Sequence, residues 1–154
     1  MRIIIDADAC PKTVKLICQE VANDYKLPLV FVADTAHSLA DEEDDGYEVV
    51  IVDQGQDASD FKIVSMAEAT DLIVTQDYGL ASLVLDKVTA VLNPNGFVYS
   101  LSNMDELLYK RYLNQKMRKA GHGTRIKKRN PDEDAAFKKL LLTFIEPITL
   151  NLSL

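Results

Sequence analysis

Short, almost wholly apolar runs alternate with helical patterns over the first two-thirds of this chain. Arg2–Ile5 (RIII), Leu29–Ala33 (LVFVA), Glu48–Val52 (EVVIV), Leu72–Thr75 (LIVT) and Thr89–Leu92 (TAVL) read as strands. Between them, Pro11–Asp24 reads as a helix, with Val14, Ile17, Cys18, Val21, Ala22 and Tyr25 at helical spacing. Further helices are expected over Ser59–Thr70 and Tyr78–Asp86. A strand that is apolar on both faces must be covered on both faces. Strands separated by helices therefore imply a mostly parallel sheet in a three-layer α/β/α arrangement. The 154 residues suit one domain.

The last third differs. Ser102 is placed to cap a helix running to about Lys119, with Met104, Leu107, Leu108 and Tyr112 on its inner face. Asn130 and Pro131 open a last helix whose first turn carries Asp132, Glu133 and Asp134. Phe137, Leu140, Leu141 and Phe144 give it a buried stripe, and no element is assigned after Pro147. The region from about 110 to 145 is expected to be a basic helical arm. The overall charge of −7 conceals this: residues 1–109 hold 6 Lys+Arg against 20 Asp+Glu, whereas residues 110–154 hold 11 against 4. Nine Lys+Arg and no acid lie between Lys110 and Arg129. A phosphate backbone is the natural partner of such a segment, and Lys116, Arg118, Lys119, Arg125, Lys127, Lys128 and Arg129 are its expected nucleic-acid contacts.

Four strand candidates end in or just before an aspartate: Asp6, Asp34, Asp53 and Asp77. Parallel strands share their carboxyl edge, and ligands bind there at the topological switch point. Strands 1 and 4 are expected to flank that point, bringing Asp6 and Asp77 onto neighbouring strands. Carboxylates gathered at one edge repel unless protonated or bridged by a cation, and oxygen-only ligands favour Mg²⁺ or Mn²⁺. An aspartate after a strand is also a common helix cap, which suits Asp34 and Asp53. Asp6, Asp8 and Asp77 make the stronger set of metal ligands, with Asp60 one helical turn away.

Other chemistry is thinly represented. Cys10 stands near a helix start, where a thiolate would be stabilised, but no histidine is close in sequence. His37 reads as a loop residue and His122 as a contact in the basic loop. Asp41–Gly46 reads as a solvated acidic loop. No glycine-rich nucleotide fingerprint, zinc spacing or nucleophile elbow occurs. Two cysteines on one helix argue for a reduced, cytoplasmic protein, and no membrane span or leader is read. A homo-oligomer is left open.

DADACP at Asp6–Pro11, QGQDASDFKIV at Gln54–Val64, DLIVTQDYGLA at Asp71–Ala81 and VLNPNG at Val91–Gly96 resemble the YaiI/YqxD family of uncharacterised bacterial proteins, over about residues 1–145. That family is grouped by similarity with the PIN-like nucleases. The resemblance implies a PIN-like fold and places Asp6, Asp60 and Asp77 as catalytic acids. A divalent-metal-dependent nuclease acting on RNA or single-stranded nucleic acid is the leading expectation. The alternatives are a haloacid-dehalogenase-type phosphatase using Asp6 and Asp8, with Thr75 in its second motif, and a non-catalytic nucleic-acid-binding module.

Overall fold

The computed structural model of the chain describes residues 1–34, 46–53, 55, 57–121 and 128–152. Five parallel strands form the sheet: β1 (Ile3–Asp6), β2 (Leu29–Ala33), β3 (Glu48–Ile51), β4 (Leu72–Val74) and β5 (Ala90–Asn93). A two-residue strand, β6 (Phe97–Val98), runs antiparallel beside β5. The order is β3-β2-β1-β4-β5-β6, so the connections reverse direction between β1 and β4, as expected. The sequence reading missed β6, because two residues are too few to show a period of two.

The strand pleat divides the core. Ile3 and Ile5 face one layer with Phe31, Val74 and Leu92, against α1 (Lys12–Tyr25) and α5 (Pro131–Leu152). Ile4 faces the other with Val30, Ile73 and Val91, against α2 (Ala58–Met66), α3 (Tyr78–Val84) and the start of α4 (Leu101–Lys119). The result is a three-layer α/β/α sandwich. At the opposite edge from the aspartates, Arg2 Nε and Nη2 donate to the two oxygens of buried Asp71, at 3.1 and 2.8 Å. This fork ties the start of β1 to the start of β4.

Several boundaries depart from expectation for identifiable reasons. α2 stops at Met66 rather than Thr70, because the Asp71 carboxylate takes the Glu68 amide at 2.8 Å and turns the chain. α4 is capped by Ser100, not Ser102. Ser100 Oγ accepts from the Asn103 amide, and Asn103 Oδ1 accepts from the Ser100 amide, a capping box two residues earlier. Of its expected inner face only Met104 is buried; Leu108 and Tyr112 are exposed. β3 is likewise an edge strand with Val49 and Ile51 exposed, not a covered one. Asn130 does cap α5, accepting from Glu133 N at 3.1 Å, and α5 continues through Pro147. Phe137, Leu141 and Ile145 are buried, so residues 131–145 belong to the α1 layer rather than to a free arm.

A carboxylate cleft beside a basic one

Asp6 closes β1 and is only 3% exposed as a residue. Thr75, just past β4, donates its hydroxyl to Asp6 Oδ2 at 2.8 Å, and Thr75 Oγ1 in turn accepts from the Asp77 amide at 3.0 Å. Burial pushes the Asp6 carboxyl up to about 6. The Thr75 bond opposes this, and the charges of Asp60, Asp77 and Asp8 add to it. Asp8 stands on a single 3-10 turn (Ala7–Ala9), accepts from the Asp34 amide at 2.6 Å and is also raised, first by burial. Asp60, in the first turn of α2, is raised by burial and then by Asp77 and Asp57.

These groups line a cleft of about 200 Å³ at the carboxyl edge: Asp6, Asp8, Asp34, Asp57, Asp60 and Asp77, with Ser59. The sequence reading thus finds its four metal-site aspartates on one cleft, joined by Asp34 and Asp57. Asp53 is exposed and does not line it. Asp57 starts α2 in a left-handed conformation, φ 64°, without a side-chain cap bond. The Ser59 hydroxyl is buried and has no hydrogen-bond partner among the described residues.

Asp77 is also a helix cap. Its Oδ1 accepts from Gly79 N at 2.8 Å and Leu80 N at 3.2 Å. Asp77 lines a second cleft, of about 440 Å³, together with Gln76, Tyr78, Lys110, Arg111, Asn114, Gln115 and Arg118. Lys110, Arg111, Asn114, Gln115 and Arg118 share one helical face, a spacing visible in the sequence. Among the described residues, Arg118 is the one expected nucleic-acid contact that lies on this cleft. Lys116 sits over the Tyr112 ring at 5.6 Å. Lys119 and Lys128 are exposed elsewhere. Arg129 is engaged: it donates to Asp134 at 2.6 Å, to the Pro94 carbonyl at 2.6 Å and to Asn95 Oδ1 at 3.1 Å. Arg125, Lys127, His37, His122 and the acidic run at 41–45 lie outside the described residues. Cys10 is not an activated thiol, since burial pushes it up to about 12.

The donor set suits a hard cation: oxygen ligands, one buried carboxyl and several neighbours repelling it. As the side chains stand, no three His, Cys, Asp or Glu among the described residues converge on one ion. Mg²⁺ requires fewer, because it keeps several waters and is commonly held by one or two carboxylates.

No solved structure matches the chain. The UPF0178 protein of Ruminiclostridium cellulolyticum is 47% identical over 149 residues, covering 96% of this chain and 94% of that protein. Those of Natranaerobius thermophilus and Alkaliphilus oremlandii are 43% and 37% identical, covering 94% and 99% of this chain and 96% of each relative. The description "Uncharacterized BCR, YaiI/YqxD family" matches residues 4–147, and with these relatives it places the chain as a member of the YaiI/YqxD family.

Proposed function

We propose that this chain is a cytoplasmic, PIN-like nuclease that depends on Mg²⁺ or Mn²⁺ and acts on RNA or single-stranded nucleic acid. The observation that carries the reading is the place of Asp77 on both clefts, one lined by carboxylates and the other by Lys110, Arg111 and Arg118. A polyanion is repelled by the first cleft alone; the second gives its phosphates a cationic approach that ends at the acids. Asp6 and Asp77 would hold the ion, with Asp8 and Asp60 assisting directly or through water. The bound ion supplies a Lewis acid for the phosphate and eases deprotonation of the attacking water. Thr75 orients the Asp6 carboxylate, and Lys110, Arg111 and Arg118 position the strand by its phosphates. The free thiols Cys10 and Cys18 suit a reducing compartment.

The test is hydrolysis of a single-stranded RNA with Mg²⁺ or Mn²⁺ and with chelator. Turnover should require the ion, and Asp6→Asn and Asp77→Asn should each abolish it. Asn caps a helix about as well as Asp, so Asp77→Asn keeps the α3 start and isolates the lost charge. Cleavage that survives in chelator or in both variants would overturn the proposal. Binding without turnover would assign a non-catalytic role. A second reading has one observation in its favour: the Thr75 hydroxyl on Asp6 Oδ2 also suits an aspartate nucleophile of a phosphatase. Trapping of an aspartyl-phosphate mimic on Asp6 would favour it.

A further inference from the structure

After Leu107, α4 leaves the body of the protein, and every residue from Leu108 to Ala120 is exposed. A helix of this length standing in water is marginal, because helices in proteins draw most of their stability from packing an apolar face. Such a face is present. Tyr109 is 61% exposed and Tyr112 54% exposed, and Leu108 and Leu113 lie exposed to either side of them. At helical spacing this face points away from the side that lines the basic cleft.

We propose that the occupant of this face is α4 of a second copy of the chain, packed antiparallel about a two-fold axis. The charges on the face select that occupant. Asp105 lies at its amino-terminal end and Lys116 at its carboxyl-terminal end, both on the apolar side. A two-fold axis at the midpoint between Lys110 and Arg111 opposes Asp105 of each copy to Lys116 of the other. The same register opposes Tyr109 to Tyr112, with Leu108 and Leu113 closing the flanks. A face that meets itself under two-fold rotation must be self-complementary, apolar against apolar and acid against base. A parallel pairing would set Lys116 beside Lys116. The pairing leaves Lys110, Arg111 and Arg118 of both copies on the outside, free to line their clefts.

Sedimentation of the full chain at micromolar concentration tests this. The wild type should run as a dimer. Tyr109→Glu and Tyr112→Glu should each give a monomer whose thermal melt still shows a folded body, since neither side chain touches the core. Asp105→Lys should weaken the dimer, and Asp105→Lys combined with Lys116→Asp should restore it. A monomeric wild type, or a dimer indifferent to all of these changes, would overturn the proposal. So would a monomer whose affinity for a single-stranded RNA drops in the tyrosine variants, because the face would then belong to nucleic acid.

Discussion

Asp6 sits at the end of a central strand with its carboxyl group buried, and ionising it costs the folded state. In the unfolded chain an aspartate loses its proton near pH 4; in the folded protein Asp6 does so at about 6. Its contribution is therefore fully present below the unfolded value and is lost as pH rises through the folded one. Two units correspond to about 3 kcal/mol. In chelator, denaturant melts should show wild-type stability falling between about pH 4 and about pH 6, with Asp6→Asn falling less. Curves that stay parallel across this window would remove Asp6 from the cause. Ser59 offers a second case. Its buried hydroxyl has no partner among the described residues, so Ser59→Ala should raise the melting temperature, through a gain of roughly 1 kcal/mol in stability. At this scale the sequence was informative about Asp6, Asp8, Asp60 and Asp77, because acids after strands follow from topology. It did not show Thr75 as the hydrogen-bond donor to Asp6, and it assigned Asp34 to a helix cap, whereas Asp34 and Asp57 both line the cleft. Those depend on side-chain direction, which spacing does not encode.

Elements were legible where the pattern was long. The five parallel strands and α1 follow from apolar runs and helical spacing, with ends shifted by a residue or so. The β5–β6 hairpin was not legible, although VLNPNG was noted. Its tight turn closes with Gly96 N on the Asn93 carbonyl at 2.9 Å. Gly96 has φ +98°, and a Cβ there would lie 2.8 Å from Ala136 Cβ on α5. Gly96→Ala should cost about 2–4 kcal/mol, combining backbone strain with a clash against a packed helix. Gly121→Ala is the matched control. It too has positive φ, 87°, but nothing within 4 Å among the described residues, so its cost should stay near 1 kcal/mol. Equal losses in thermal melts of the two variants would show that the α5 contact contributes nothing.

For the whole molecule, the uneven charge was plain in the sequence, but its placement was not. Density alone pointed to the segment ending at Arg129. The structure instead turns the Lys110–Arg118 face of α4 toward Asp77 and spends Arg129 on α5 and the Pro94–Asn95 loop. The direction α4 takes is set by a two-residue strand and a capping box, and neither reports where a helix points. Single-stranded RNA binding should therefore lose salt dependence when Lys110, Arg111 and Arg118 are all changed to Gln. The loss should be about 2 units of slope, at roughly 0.7 per phosphate contact. Arg129→Gln should leave the slope alone and lower the melting temperature. An unchanged slope in the triple variant would detach the basic cleft from nucleic acid.

The bonds around Arg129 reach further than α5. Arg129 holds Pro94 and Asn95, the Asn95 amide holds Asn93, Asn93 holds the Tyr99 hydroxyl, and that hydroxyl holds the carbonyl of Thr75, whose side chain holds Asp6. This chain of contacts runs along the carboxyl edge and joins two residues far apart in the sequence, Arg129 ahead of α5 and Asp6 at the end of β1. The start of α5, the Pro94–Asn95 turn and the Tyr99 ring are thereby linked in series to the Asp6 carboxyl group. A relay of this kind makes the last helix a tether for the first strand, so loosening the turn at Pro94 would slacken the hold on a carboxyl group two strands away.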